Sequence, residues 1–569
     1  MGLLIYELYY LQVDCHNKYA MLSEKNRVRL SPSLPKRGRI FTADGKLIAS
    51  NKYKYKLTIE SCAENIFLKN IELLETCIDL SEEEKNDLLE MRKKVPRYSP
   101  ITIRDGLSWD EYAKLSLIFY KLNHVSIDNV YVREYSLPFE LSHVVGYTSK
   151  SENSLQILNG KTGIEASMNA ELIGELGNVK TEINAAGRKM RIIDSVDPIS
   201  GKDVTLTINS EIQKYVFDLI SAEKAGSCVV LDLTDGSVVA MVSVPGFDTN
   251  LISSKINRTQ WNEMIKDPLT PLMNRAITGT YPPGSVFKLV VAFAALSEGV
   301  ITPKDTVFCS GGVTLDDATF HCWNRYGHGR VNVCDAIRMS CDCFFFETSK
   351  KLGIDKIAEY AEKFGLGKQT GIELPNESSG LLPCKKWKLL KYGRSWKPYE
   401  TLITSIGQGA LLVTLMQTAT MFGKLYTNNY DFAPTIIKSP KNEGLSGKET
   451  NPIDNKHASV IKDALHQVCN FWSGTAVRSC KADYEISGKT GSSQVRKIKS
   501  NEAGVSQKNF QWHLRDHAFF LGVAPQKNKN PRYVVAVLIE HGGGGSSVAA
   551  PIARKIFDKL ILTEENGNR

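Results

Sequence analysis

The chain has 569 residues, of which 42% are hydrophobic and 23% charged, with a net charge of +9. That length predicts roughly two to four globular domains able to bury large cores, and it excludes a disordered chain. The modest positive charge suits an anionic membrane surface or polyanionic envelope polymer as well as a plain solvated surface; no DNA- or RNA-binding signature accompanies it, so a nucleic-acid role is excluded. Twelve cysteines are too few for a disulfide scaffold at this length.

In chain order, Met1 to Val13 is apolar and aromatic but shorter than the roughly 20 residues of a membrane span. No Lys or Arg precedes it and no small-residue cleavage site follows, so it is not a secretory signal peptide. It reads as the far end of a spanning helix, a partial anchor over 1–13, or else as a short amphipathic surface helix. Residues 14 to 36 are polar and extended in character. Asp44-Gly45 between β-prone runs predicts a hairpin, Tyr53 to Ile59 alternates like a strand, and Ser81-Glu82-Glu83-Glu84 is a helix start. Short strands and glycine-punctuated loops fill 126 to 200. The whole of 14–205 reads as a non-catalytic module of mixed strands and helices.

From 206 the pattern changes. Ser210 to Ser221 predicts a helix, and Asp235-Gly236 joins two apolar strands in a second hairpin. Helices dominate from 285 to about 425; strands return at Ala482–Gln494, Ala518–Val523 and Tyr533–Glu540, and Ile552 to Leu562 closes with a helix. Strands, then helices, then strands and a helix predict one α+β domain over 206–563, its sheet assembled from both ends, with a short tail at 564–569.

Three constellations carry chemistry. In Pro282-Pro283-Gly284-Ser285-Val286-Phe287-Lys288, a turn runs into an apolar helix. This places Ser285 in the first helical turn, with Lys288 on the same face. A serine needs a base to become a nucleophile, and burial in apolar surroundings favours a neutral, proton-accepting Lys288. The bland alternative is an exposed Ser and Lys at a helix start. Second, Ser340 and Asp342 fall in a turn between helices over Asn332–Met339 and Phe344–Leu352. Asp342 either caps the second helix or orients a lysine while Ser340 relays a proton. Third, Lys489-Thr490-Gly491-Ser492 on a strand sets an ammonium beside hydroxyls that suit a carboxylate; Gly491 admits close backbone approach. The alternative is an ordinary strand with a solvated lysine.

Taken together and in this order, the three motifs resemble those of penicillin-binding proteins. The resemblance is to class B monofunctional transpeptidases of the elongation type. Longer strings carry it further: Arg37-Gly38-Arg39-Ile40 and Gly160 to Glu165 in the first module, then Phe320-His321-Cys322-Trp323, Ser405-Ile406-Gly407-Gln408-Gly409, His517-Ala518-Phe519-Phe520 and Glu540 to Ser547. The resemblance implies an α+β, serine β-lactamase-like transpeptidase domain with an antiparallel sheet and helical cluster, preceded by an elongated pedestal. It implies a D,D-transpeptidase that cross-links D-Ala-D-Ala stem peptides during elongation and is acylated by β-lactams. Ser285 would be the nucleophile, Lys288 its base, Ser340 and Lys489 the relay to the leaving group, and Lys489, Thr490, Gly491 and Ser492 the carboxylate site. The superfamily pattern has Asn where this chain has Asp342. The resemblance also implies a single-pass inner-membrane protein with a periplasmic catalytic domain, working with a SEDS-family glycosyltransferase and rod-complex scaffold proteins. The rivals are a D,D-carboxypeptidase or β-lactamase-type hydrolase, and a non-enzymatic penicillin sensor or scaffold.

No cofactor is expected for catalysis. Cys309, Cys322, His328 and Cys341, spaced Cys-x12-Cys-x5-His-x12-Cys, form a Cys3His donor set for a structural zinc ion. The alternatives are a Cys309–Cys322 disulfide and buried, unligated thiols.

Overall fold

A computed structural model describes residues 2–567 except 18–20, 22–26, 96–99, 151–156, 184–188, 439–450, 497–506 and 526–530; parts of the expected extended segment 14–36, of the loops in 126–200 and of the tail 564–569 therefore lie outside the described residues. The first residues form a short helix, Gly2–Tyr9, with Leu4, Ile5 and Tyr6 exposed. No described helix is long and apolar enough to cross a membrane.

The first module is built on a 14-residue strand, Leu47–Glu60, which pairs antiparallel with Val125–Tyr135 and with Pro100–Leu107. The Asp44-Gly45 hairpin forms as expected between Ile40–Phe41 and this long strand. Helices Glu64–Glu75, Glu82–Lys94 and Trp109–Ile118 cover one end and enclose a small core of its own around Leu57, Phe67, Leu74 and Leu115. Ser81 and Ser108 begin two of these helices with reciprocal capping boxes, each satisfying two otherwise orphaned N–H groups.

Two distant strings meet at one buried carboxylate. Glu165, with no exposed surface, accepts from Arg37 Nε at 2.6 Å and from Arg133 Nε at 2.6 Å. Arg37 also donates to the Leu158 and Glu165 carbonyls. This clamp ties the start of the module to its end. Val204–Thr205 then pairs parallel with Ile40–Phe41, so the chain leaves the module beside the point where it entered.

The second unit opens with α1 (Ser210–Ser221) and is organised on a five-stranded antiparallel sheet: β1 (Gly226–Asp232), β2 (Val238–Val244), β3 (Ser487–Ser493), β4 (His517–Ala524) and β5 (Tyr533–Ile539), in the order β2-β1-β5-β4-β3. The Asp235-Gly236 hairpin is present, with Gly236 at φ 80°. All seven residues of β1 and of β5 are buried, because α1, α5 (Leu415–Thr427) and α7 (Ala550–Gly567) pack on the sheet. Four further helices, α2 (Lys288–Ser297), α3 (Val333–Arg338), α4 (Asp342–Leu352) and α6 (Asn455–Asn470), form a cluster beside β3. β3 spans only Ser487–Ser493, shorter than the expected 482–494. Its partner β4 ends at Ala524 opposite the start of β3, so residues 482–486 have no strand to pair with.

The clamp makes a stability prediction. Glu165→Ala leaves two buried guanidinium groups without their anion, a loss of about 3–5 kcal/mol. Urea unfolding followed by circular dichroism should show that loss, whereas Arg39→Ala, at an exposed pair with Asp203, should cost about 1 kcal/mol or less.

Candidate active site

Ser285 does not lie in the helix proper. It sits in a 3-10 turn, Gly284–Val286, and α2 begins at Lys288. The reason is tertiary. Gly284 has φ +55°, its N–H donates to Gly407 O at 2.9 Å, and a Cβ there would come within 2.5 Å of Ser492 O. The turn is thus pressed between the Ser405–Gly409 string and β3, an approach that only glycine permits. Ser285 is half-buried and remains reachable.

Ser340 lies directly beside it. Ser340 Oγ donates to Ser285 Oγ at 2.9 Å and receives bonds from Lys288 Nζ at 3.2 Å and Lys489 Nζ at 3.1 Å. Ser340 holds φ 54°, a left-handed conformation uncommon outside glycine and typical of functional turns. The structure therefore brings together Ser285, Lys288, Ser340, Asp342 and Lys489, from three separate elements. Among the described residues no hydrogen bond joins Ser285 to Lys288 directly; Ser340 stands between them.

The environment of Lys288 departs from the sequence expectation. The residue is fully buried, but its Nζ forms an ion pair with Asp342 Oδ1 at 2.6 Å and donates to Ser340 O at 2.9 Å. Its surroundings are therefore not simply apolar. Asp342 is the first residue of α4 and Cys341 is its cap, so the carboxylate faces the lysine rather than capping the helix. Its other oxygen accepts the Trp323 backbone N–H at 2.9 Å, while the Trp323 indole donates to Met339 O at 3.1 Å.

Lys489 is the lysine pushed towards neutrality. Burial holds its pKa well below the ordinary lysine value, with the Lys288 charge adding to the effect and Asp342 opposing it. Its bonds go to Ser340 Oγ and to Thr490 O at 2.9 Å; among the described residues no carboxylate pairs with it. On the adjoining edge, Thr490 Oγ1 bonds Thr475 Oγ1 at 2.9 Å, Ser492 is exposed, and Gly491 packs against Val286 and Phe519.

The cysteine–histidine set also converges. The donor atoms of Cys309, Cys322, His328 and Cys341 lie within 4.8 Å of one another, close to the roughly 3.8 Å edge of a tetrahedral zinc–sulfur site. His328 Nδ1 faces Cys309 Sγ at 3.6 Å and Cys322 Sγ at 3.5 Å. Its Nε2 is buried without a partner. Antiparallel pairing sets Cys309 opposite Gly329, which delivers His328 to the cluster. Hydrogen bonds from Cys341 and Cys343 draw the Cys322 thiol towards its thiolate, and Cys322 in turn pushes Cys341 the other way. A dication held among these donors would favour their deprotonated forms. Sequence reasoning missed Cys343, although its Cys-x-Cys spacing from Cys341 was a signal. It gave no role to Trp323 or to Gln408, whose Nε2 donates to Ser492 O at 3.3 Å, although both fall in strings that carry the resemblance, and it did not single out Thr475.

A nucleophile turn, a serine–lysine relay and a Lys-Thr-Gly edge strand on an antiparallel sheet flanked by helices define a serine acyltransferase of the penicillin-binding class. The penicillin-binding protein transpeptidase domain family matches residues 226–558, and the penicillin-binding protein dimerisation domain family matches 32–206. The chain is 32% identical to the peptidoglycan D,D-transpeptidase MrdA of Salmonella typhimurium, across 98% of this chain and 93% of that protein. It superposes on the penicillin-binding protein 2 of Helicobacter pylori solved in complex with MreC, with a TM-score of 0.82, 26% identity and coverage of 94% and 99% of the two chains. It also matches a chain of a peptidoglycan synthase complex that coordinates polymerization and crosslinking, with a TM-score of 0.71, 26% identity and coverage of 98% and 95%. The chain belongs to the class B penicillin-binding protein 2 family and is a serine-type D,D-transpeptidase, with the α+β transpeptidase domain and preceding pedestal that the sequence resemblance implied.

Lys489 carries a pH prediction. Its native pKa is lowered, so between that value and about 10.4 the unfolded chain binds a proton that the native chain does not. Stability contributed at this position should therefore rise with pH across that window. Urea unfolding of wild type and Lys489→Met between pH 7 and 9.5 should show the wild type gaining relative to the variant as pH rises.

Proposed function

We propose that this transpeptidase cross-links peptidoglycan stem peptides during cell elongation through an acyl-enzyme on Ser285. The single observation that carries the reading is the hydrogen-bonded chain Ser285–Ser340–Lys288–Asp342, with Lys489 on its flank. Asp342, 2.6 Å away, takes a proton from Lys288 and so makes a neutral base available. The Ser285 proton then passes to Ser340, which hands its own to Lys288. Ser285 Oγ bonds to the penultimate D-Ala carbonyl carbon, and the N–H groups of Ser285 and Ser492 receive the oxyanion. As the C–N bond breaks, the relay runs in reverse and protonates the departing D-Ala amine. The substrate's terminal carboxylate supplies the anion that Lys489 lacks, with Thr490 and Ser492 as hydroxyl partners and Gly491 admitting the peptide backbone. The amine of a neighbouring stem then attacks the acyl carbon and frees Ser285. β-Lactams acylate the same serine.

The geometry favours transfer to an amine over hydrolysis. Asp342 is the carboxylate of this hydrogen-bonded network, and its two oxygens are occupied by Lys288 and by the Trp323 N–H. Neither is free to activate water.

We further propose that Cys309, Cys322, His328 and Cys341 hold a structural zinc ion. The donor set is complete at four, with no open position for chemistry. Its ligands adjoin the catalytic turn covalently: Cys322 precedes Trp323, whose N–H orients Asp342, and Cys341 lies between Ser340 and Asp342. The native setting we propose is an inner-membrane anchor at the start of the chain and a periplasmic catalytic domain. Its partners are a SEDS-family glycosyltransferase and a rod-complex scaffold protein, as the MreC complex and the synthase complex of the related structures support.

Fluorescent-penicillin labelling tests the nucleophile: Ser285→Ala should lose covalent labelling with its fold intact, and persistent labelling would sink the assignment. A penicilloyl-enzyme that turns over in seconds rather than hours would favour the hydrolase. For the metal, Cys341→Ser should lower the melting temperature and the acylation rate together. Elemental analysis giving less than ~0.2 zinc per chain, with Cys309 and Cys322 recovered as a disulfide, rejects the site, since a structural site should be nearly filled.

A further inference from the structure

Behind the Lys-Thr-Gly strand lie two thiols that take no part in the chemistry described above. Cys469 is in the last turn of α6, and Cys480 is in the segment that leads from α6 to β3; each is 2% exposed. Both are thiols in the structure. The Cys469 side chain faces that of Cys480 and the backbone of Gly488, the residue before Lys489. The intervening chain is folded back onto the helix. Ala476 N–H donates to Val468 O at 3.0 Å, and Cys480 N–H donates to Ala476 O at 2.9 Å. The same segment carries Thr475, whose hydroxyl bonds Thr490. Asn470 Nδ2 donates to Ile486 O at 2.8 Å, joining the end of α6 to the entry of β3.

We propose that Cys469 and Cys480 form a disulfide in the mature protein, a covalent staple that fixes the Thr475 segment against the helix supporting the Lys-Thr-Gly strand. The side chains of Cys469 and Cys480 face each other across the folded-back segment, the arrangement that a disulfide closes. The bond forms before the domain closes. Once folded, burial holds the Cys469 thiol well above its ordinary pKa, and a protonated, enclosed thiol does not exchange. During folding in an oxidising compartment, a protein disulfide oxidase supplies the oxidant. The two cysteine thiols and one oxidant disulfide yield the Cys469–Cys480 disulfide and two carrier thiols, so two electrons and two protons leave the chain. Cys228 has no such neighbour in its strand and remains a thiol, and the cysteine–histidine cluster lies on other elements. The inference shares with the proposed function the placement of this domain outside the cytoplasm, but not its catalytic roles.

The test uses the full-length chain. Membranes from cells with an intact thiol-oxidising system are denatured in N-ethylmaleimide without reductant, and the protein is digested and mapped. The expected result is one linked peptide pair carrying Cys469 and Cys480, both free of maleimide, with Cys228 labelled. Recovery of both cysteines as maleimide adducts, or of either one linked elsewhere, overturns the disulfide. Protease accessibility in the same cells reads the topology separately, so a misplaced domain is told apart from an unformed bond. A phosphine reductant should also lower the melting temperature of the wild type by about 5 °C more than that of C469A/C480A, with a slower penicillin acylation confined to the wild type. Equal responses from the two proteins would overturn the staple's support of the site.

Discussion

Two lysines and one carboxylate enclosed around Ser340 set the terms for the rest of the transpeptidase domain. Lys288 and Lys489 are fully buried and both reach the same serine hydroxyl. Two ammonium groups beside one carboxylate leave an excess positive charge in a place where water cannot spread it. The protein meets this by unequal treatment. Lys288 receives the carboxylate at 2.6 Å, a main-chain carbonyl and the face of Phe345, while Lys489 is given only a hydroxyl and a carbonyl and is driven towards its uncharged form. In the mechanism proposed above, the first lysine moves the serine proton and the second receives the carboxylate of the substrate. The carboxylate of Asp342 thus balances one lysine and leaves the other without an anion of its own among the described residues.

The geometry that maintains this asymmetry comes from loops, which are the least self-supporting part of the fold. The Ser340 turn departs from ordinary backbone angles, and its neighbours Cys341 and Asp342 face opposite ways, one to the thiol cluster and one to the lysine. Trp323 closes the arrangement from the far side with two N–H groups, one from the backbone and one from the ring. Cys322 lies immediately before it. The thiol–imidazole cluster and the proton-moving groups are therefore joined through single peptide bonds at two points, and a shift in one is transmitted to the other without a long packing path.

Features confined to one stretch of chain were legible in the sequence. Both Asp-Gly hairpins, the pedestal helix starts, the strands of the split sheet and the three catalytic motifs all write their signal into consecutive residues. The cysteine–histidine cluster was legible for a different reason: three thiols and an imidazole make a metal donor set, although their spacing left a disulfide and unligated thiols open. What the sequence hid was tertiary. Ser285 was expected inside a helix, but Gly284 is held in its turn by Gly407 and Ser492, more than a hundred residues away. The surroundings of Lys288 were judged from the apolar run that follows it, whereas its decisive neighbour is Asp342, at a separation of 54. Trp323 orients Asp342 through its backbone N–H, a group every residue but proline possesses, so the string that contains it did not show this contact.

The order of strands in the central sheet has a consequence for the life of the chain before it is folded. β5 lies between β1 and β4, yet it is the last strand to be made, some 300 residues after its neighbour β1. Until Tyr533–Ile539 emerges, the β1–β2 hairpin presents an unpaired edge with an apolar centre, Cys228 to Leu231, the kind of surface that recruits other strands. The active site is equally unfinished, because β3 cannot be fixed until β4 is paired to β5. Closure is thus a late, non-local event of the slow-folding kind. A chain cut short near its end cannot form a weakened enzyme; it leaves an open sheet, exposed to aggregation and proteolysis for as long as synthesis or translocation delays the final strand.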